Sequence, residues 1–262
     1  MHDNATIYDL ETGGYNLDLP YWIGLLEERR AAHVLDLACG TGRITLPLIE
    51  PGLATHSCFQ IVGLDISEPF LERAQFLASE LPAPRANAVR FVHGDMVDFG
   101  IGEQFDLIVI GLNSLMYVYA LEDQLSCLRA VRRHLAPGGC FAIDVLTPSL
   151  QYLAEAERTP AMRLELDLAA PERGVTRFLR FAAERYDAAT QLDMTTYFYE
   201  LYMVDGRHER FTDDLAWHMY YPRELELLMR QAGMRPVAKY GSYNREPFNR
   251  RSKQMLWVME GV

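Results

Sequence analysis

The sequence has little cysteine, and none of it is arranged for chemistry. Cys39, Cys58, Cys127 and Cys140 are scattered, with no Cys-x-x-Cys pair and no cysteine–histidine group at zinc spacing. That argues against a zinc module and for reduced thiols in a cytoplasmic protein. The N-terminal stretch MHDNATIYDLETGGYN lacks the basic-then-apolar pattern of a signal peptide. No apolar run approaches the ~20 residues that a membrane span needs. Positive charge is also scarce: 25 Lys and Arg stand against 36 Asp and Glu, a formal net charge of −11. Such a surface argues against nucleic acid or an anionic membrane as the main partner. What remains is a 262-residue chain, 49% hydrophobic, with enough apolar material for one domain and a substantial insertion.

From Ala31 to Val145 strand-like and helix-like segments alternate. AHVLDLA, QIVGLDI, VRFVHGDM, FDLIVIGL and CFAIDVLT read as buried strands. Between them, RITLPLIE opens a helix, EPFLERAQFLASEL is amphipathic, and EDQLSCLRAVRRHL is expected to end at Pro137-Gly138-Gly139. Continuous apolar strands alternating with helices imply a mostly parallel sheet covered on both faces. From Met162 to Tyr221 the segments become extended and aromatic-rich, with turn signals at Pro171–Gly174 and Asp205-Gly206. This stretch reads as an inserted antiparallel sheet. PRELELLMRQAG is a late helix, and PVAKYGSY and QMLWVMEG supply the last two strands. The expected division is a main domain over 1–160 and 222–262 and a β insertion over 161–221.

The stretch VLDLACGTGRIT, Val34 to Thr45, ends a strand in Gly40-Thr41-Gly42. A dinucleotide fingerprint needs a third glycine where Thr45 stands, and no Lys-Ser/Thr follows to make a P-loop. Three acids suggest a different ligand. Asp65 ends the second strand, where a carboxylate can accept both ribose hydroxyls. Asp95-Met96 follows the third strand, pairing an acceptor for an adenine amine with an apolar contact. Asp36 ends the first strand, placed to help hold an ammonium. The ligand implied has an adenosine, need not have a pyrophosphate, and can carry positive charge.

With DLACGTGR at Asp36–Arg43, GLDIS at Gly63–Ser67, GDM at Gly94–Met96, FDLIVIGLNSL at Phe105–Leu115 and LAPGG at Leu135–Gly139, the chain resembles the class I S-adenosylmethionine-dependent methyltransferases. The resemblance implies a Rossmann-like α/β fold, a seven-stranded sheet in order 3-2-1-4-5-7-6 with strand 7 antiparallel, and S-adenosylmethionine as cofactor. It further implies that Gly40 and Gly42 let the backbone approach the methionine portion, that Asp36 and Ala38 line it, and that Asp65 holds the ribose beside Ile66. Asp95 and Met96 would frame the adenine, and Leu112 would complete the cofactor site. The run PGLATHSCFQ between helix and second strand is longer than usual and reads as a surface loop. Asp98, Asp106 and Asp144 read as turn or strand-end residues.

Methyl transfer is an in-line displacement that depends on alignment, and a neutral amine needs no strong base. The loop after strand four, GLNSLMYVY, keeps Asn113 but has Ser114 and Leu115 where base-modifying enzymes of this fold carry prolines, which argues against a nucleic-acid substrate. The inserted sheet resembles the lid of methyltransferases acting on amines of glycine-like metabolites and deoxyamino sugars. A small-molecule acceptor is therefore expected, with nitrogen preferred over oxygen or carbon; a non-methylating binder of the same cofactor is the alternative from another class. IYDLETGGYNLDLPYW resembles the leading helices of those enzymes, offering Tyr15 to the cofactor and Tyr8 to the lid or substrate. Asn113, Tyr117, Tyr220, Tyr243 and Arg245 are the other candidates facing substrate, His218 is the candidate proton acceptor, and no metal is expected. Arg245–Arg251 otherwise reads as a solvated charge run, and Tyr197-Phe198-Tyr199 as core plus solvent face. The expectation leaves room for a homodimer.

Overall fold

The structure, a computed structural model, describes residues 4–158 and 161–262. Two compact units emerge: residues 148–219 form one, and residues 4–147 with 220–262 form the other.

The larger unit is built on seven strands: β1 (His33–Leu37), β2 (Gln60–Asp65), β3 (Val89–His93), β4 (Phe105–Ile110), β5 (Leu135–Leu146), β10 (Met234–Tyr240) and β11 (Gln254–Gly261). Their spatial order is β3-β2-β1-β4-β5-β11-β10. β1 through β5 pair in parallel, and β11 runs antiparallel to both β5 and β10. The expected order is found, with β10 and β11 as its sixth and seventh strands. β1, β2 and β4 are mostly apolar and buried along most of their length because helices cover both faces. Trp22, Leu25 and Leu26 of α2 (Leu19–Arg29) pack with Leu48 and Ile49 of α3 (Thr45–Thr55) onto Val34, Leu107, Val109 and Leu256. Around the rest of the sheet lie α1 (Ala5–Thr12), α4 (Glu68–Ser79), α5 (Ala83–Ala86), α6 (Leu121–His134) and α8 (Pro222–Gln231).

The smaller unit is a four-stranded antiparallel sheet, β6 (Met162–Ala170), β7 (Val175–Asp187), β8 (Leu192–Met203) and β9 (His208–His218), with α7 (Leu150–Arg158) against β7. Asp205 and Gly206 turn β8 into β9, Gly206 taking φ +86°. In β8, Tyr197 and Tyr199 are buried while Phe198 is half-exposed, the strand's period of two at work. Tyr199 stacks between Phe178 and Phe211 at 5.9 and 4.7 Å.

The structure corrects four expectations. The smaller unit begins before residue 161, because α7 packs on its sheet. PGLATHSCFQ is not wholly a loop: α3 runs on to Thr55, its Gly52 letting the buried Phe59 ring lie against the helix. α6 stops at His134, ahead of Pro137-Gly138-Gly139, which fall instead inside β5 at a register shift against β4. β9 stops at His218, so Tyr220 and Tyr221 do not lie on a strand. Among the described residues, no helix is long and apolar enough to cross a membrane, and no group of His, Cys, Asp or Glu is placed to hold a metal ion.

Candidate active site

The C-terminal ends of β1, β4 and β5 share one row. Leu37 pairs with Ile110, and Ile110 with Ile143, so Ala38, Gly111 and Asp144 are the next residues out along the three strands. Here the backbone leaves the β region. Ala38, Gly40 and Gly42 have φ of 57°, 56° and 86°, and Leu112 and Asn113 follow β4 with φ of 52° and 64°. Left-handed non-glycine residues are strained by ~1–2 kcal/mol each and concentrate at functional sites. The two bends face each other across a small cavity lined by Tyr8, Asp36, Ala38, Arg43, Leu112 and Ser114, among others.

Two of the acids foreseen in the sequence come together there. Asp36 is buried, and its Oδ2 accepts the Thr45 hydroxyl at 2.6 Å. Burial pushes its carboxyl up to about 7, against the pull of that hydrogen bond. Thr45 is the residue that breaks the dinucleotide fingerprint, and its hydroxyl is what Asp36 requires. Asp65 accepts the backbone N–H of Gly40 at 2.8 Å and of Ser67 at 2.9 Å, tying the glycine bend to the end of β2. Next to it Ile66 is 64% exposed, an apolar side chain left facing open space. Asp95 is exposed, with Oδ1 accepting the Val97 N–H at 2.9 Å, and Met96 is half-buried in the same turn.

The segment before β1 is fastened onto the glycine bend. Asp9 accepts the Thr41 hydroxyl at 2.8 Å and Arg73 Nε at 2.9 Å. Tyr8 lies over Gly40, where a Cβ would meet its hydroxyl at 2.9 Å, and its ring packs on Phe70 at 4.8 Å. Tyr8 therefore belongs to the cavity beside the glycines. Arg43 reaches Asp18 with both terminal nitrogens, at 2.8 and 2.7 Å, and donates to the Tyr15 carbonyl at 3.2 Å. Its guanidinium stands 5.5 Å from the Tyr15 ring. Asp18 is fully buried and also accepts the Trp22 indole N–H at 2.9 Å. Arg43 and Asp18 were given no role from sequence. The available signal was an arginine directly after the glycines and an acid ahead of a helix-opening Leu-Pro.

On the β4–β5 side, the Asn113 Oδ1 is buried with no hydrogen-bond partner among the described residues. Tyr117 closes the short 3-10 turn Ser114–Tyr117 and is half-buried. Tyr220 is fully buried and donates to the carbonyls of Val118 and Leu115 at 3.2 and 3.4 Å. These two contacts support the loop after β4. Arg245 pairs with Glu28 at 2.6 Å and lies over the Tyr21 ring at 5.7 Å. His218 ends β9 opposite Leu192 in the smaller unit. Tyr243 donates its hydroxyl to Asp144. Asp144 overturns its reading as a mere strand end: it is fully buried, and burial pushes its carboxyl up to about 6 despite the Tyr243 hydrogen bond. Asp98 and Asp106 keep theirs, Asp98 pairing with Arg133 at 3.0 Å and Asp106 capping the start of β1 through the Ala32 and His33 N–H groups.

Comparison with known proteins agrees with this geometry. Residues 34–139 match the family model described as a methyltransferase domain. The cypemycin N-terminal methyltransferase of a Streptomyces species is 27% identical over 242 residues, covering 91% of this chain and 87% of that one. The dTDP-4-amino-2,3,4,6-tetradeoxy-D-glucose N,N-dimethyltransferase of Saccharopolyspora spinosa is 32% identical over 54% of each chain. Among solved structures, the CcbJ methyltransferase of Streptomyces caelestis superposes with a TM-score of 0.76 at 23% identity, covering 98% of this chain and 96% of that one.

Proposed function

We propose that this chain, a member of the S-adenosylmethionine-dependent methyltransferase family, transfers a methyl group to the nitrogen of a small-molecule amine. The cofactor, when bound, supplies an electrophilic methyl on a positively charged sulfur. The residues present fit it. The cavity between the two left-handed bends is lined by the buried Asp36, with Asp65 tied to the same glycine bend and Arg43 already matched by Asp18, so it favours a ligand carrying sulfonium and ammonium charge. Glycine at position 40 lets Tyr8 lie directly against the bend, where a Cβ would meet its hydroxyl at 2.9 Å.

In this reading Gly40, Gly42, Ala38 and Asp36 hold the methionine end, Tyr8 and Tyr15 cover it, and Leu112 bounds it. Asp65 offers its remaining lone pairs to the ribose hydroxyls, and exposed Ile66 lies against the adenine beside Asp95 and Met96. Asn113 carries the amine assignment. Its buried Oδ1 has no partner, and an amide oxygen at that place accepts an acceptor N–H and aims the nitrogen lone pair at the methyl. Such alignment can supply up to ~7–11 kcal/mol of the barrier. The relatives named for a peptide N-terminus and for an amino sugar both support an amine. A cytoplasmic setting goes with four free thiols and an acidic surface.

The test offers the purified chain labelled S-adenosylmethionine with two amine acceptors, an aminodeoxysugar nucleotide and a short peptide with a free amino terminus. Their hydroxyl counterparts serve as the comparison. Methyl label on an amine, with S-adenosylhomocysteine released, supports the reading. Label only on hydroxyl acceptors would overturn it.

A further inference from the structure

Among the described residues, the buried carboxylates near the glycine bend and the bend after β4 are matched one by one, with a single exception. Asp9 has Arg73 and Thr41, and Asp18 has Arg43 and Trp22. Asp36 has Thr45, and Asp65 has the N–H groups of Gly40 and Ser67. Asp144 has one oxygen held and one not. Oδ2 accepts the Tyr243 hydroxyl, whereas Oδ1 is buried with no hydrogen-bond partner. Tyr243 is itself fixed, because its oxygen accepts from Gln254 Nε2 at 2.9 Å and its only proton therefore points to Asp144. Burial and the adjoining carboxylate both push that phenol far up, so it stays a neutral donor. The charged groups that act on Asp144 are Asp18 and Arg43, and they are bound to each other; the remaining polar neighbour is the Leu112 backbone N–H.

A buried carboxylate oxygen left unmatched is disfavoured, and such atoms survive where a ligand supplies the missing hydrogen. This one stands in the row of Gly111, directly beside the Leu112–Asn113 bend. We propose that Asp144 is the acidic receptor for the amine that is methylated, its Oδ1 accepting an N–H of the acceptor while Tyr243 acts as the positioning residue. The proposal rests on the amine reading above. The nitrogen lone pair forms the new N–C bond as the C–S bond breaks, the electron pair of that bond remaining on sulfur. The proton that the nitrogen then sheds passes to Asp144 and from there to water. A carboxyl whose affinity for protons is raised by burial suits that exchange near neutral pH.

The test needs no knowledge of the acceptor. Sinefungin carries an amine where the cofactor carries its transferable methyl, and S-adenosylhomocysteine carries nothing there. Calorimetric titration of the intact protein with each should show sinefungin binding about tenfold tighter, the worth of one charge-assisted hydrogen bond. Asp144→Asn should abolish that preference and leave S-adenosylhomocysteine affinity unchanged. Tyr243→Phe, which keeps the carboxylate, should retain most of it. The proposal is overturned if the unmodified protein shows no preference, a result that depends on no variant folding. It is overturned equally if Asp144→Asn weakens both ligands alike, which would assign the carboxylate to the cofactor's own ammonium. Failure of the amine reading would look different: no amine labelled in the acceptor panel, with the sinefungin preference intact.

Discussion

Arg43 and Asp18 form a two-pronged ion pair, at 2.8 and 2.7 Å, between the residue that follows the glycine bend and the residue that opens α2. Asp18 is wholly buried and Arg43 nearly so, its side chain 9% exposed. Burial alone would make the guanidinium easier to deprotonate, but the Asp18 hydrogen bonds outweigh it and hold the charge. The pair thus locks the segment before β1 onto the glycine bend with charges largely shielded from solvent.

Removing one member should be expensive. Asp18→Ala strands a buried guanidinium and is expected to lower unfolding free energy by about 3–5 kcal/mol. Arg43→Lys keeps the charge but loses the fork, so it should recover only part of that stability. Urea denaturation of the three proteins checks this. Equal stability of Asp18→Ala and the parent would mean the pair contributes nothing net.

Asp65 orders the Gly40 N–H, and in the proposed reading it also receives the ribose. Asp65→Ala should therefore weaken S-adenosylhomocysteine binding by about 2–3 kcal/mol, judged from the loss of charged hydrogen bonds. Calorimetry gives the number, and an unchanged affinity would move the ribose elsewhere.

At Gly111 a methyl group would overlap the Cδ1 atom of Ile44. Gly111→Ala should destabilise by about 1–3 kcal/mol through overpacking. Ile44→Val deletes that atom, so the double variant should regain most of the loss. A double variant no better than the single one would show that the backbone, not the space, requires glycine.

Asp36 and Asp144 are both raised by burial, to about 7 and about 6. Thr45, Arg43 and Asp65 surround the first, and Tyr243, Asp18 and Arg43 the second. In an unfolded chain each would ionise near ~3.9. A group raised on folding leaves its full stability intact below the unfolded value and loses it as pH climbs through the folded one. The ligand-free protein should accordingly lose stability between about pH 4 and 7 from these two groups. Asp144→Asn removes one of them, so its melting temperature relative to the parent should rise from pH 5 to pH 7. A pH-independent difference would place Asp144 in an ionised state throughout.

The layer order and the glycine bend were legible because each is written in contiguous residues: apolar runs of strand length, glycines where φ turns positive, an acid at the end of β2. What escaped was whatever depends on two distant segments meeting. Asp144 reads like any acid at a strand end until Tyr243, 99 residues later, is found donating to it. Arg245 reads as a free cation until Glu28 is found beside it. Nothing around Tyr220 in the sequence announces that its hydroxyl serves the carbonyls of Leu115 and Val118, more than a hundred residues earlier. Periodicity carries the backbone; pairing across the sheet does not appear in it.

The placement of β11 sets the timetable of assembly. Although it is the latest strand in chain order, it lies between β5 and β10 rather than at an edge. Until residues 254–261 have been made, β10 has no strand to join and β5 presents an unpaired edge, the kind of surface on which half-made chains stick together. A nascent chain can shape its glycine bend early, yet it cannot close its sheet until β11 arrives. Loss of that short segment would not shorten the sheet at its margin but split it, leaving β10 outside.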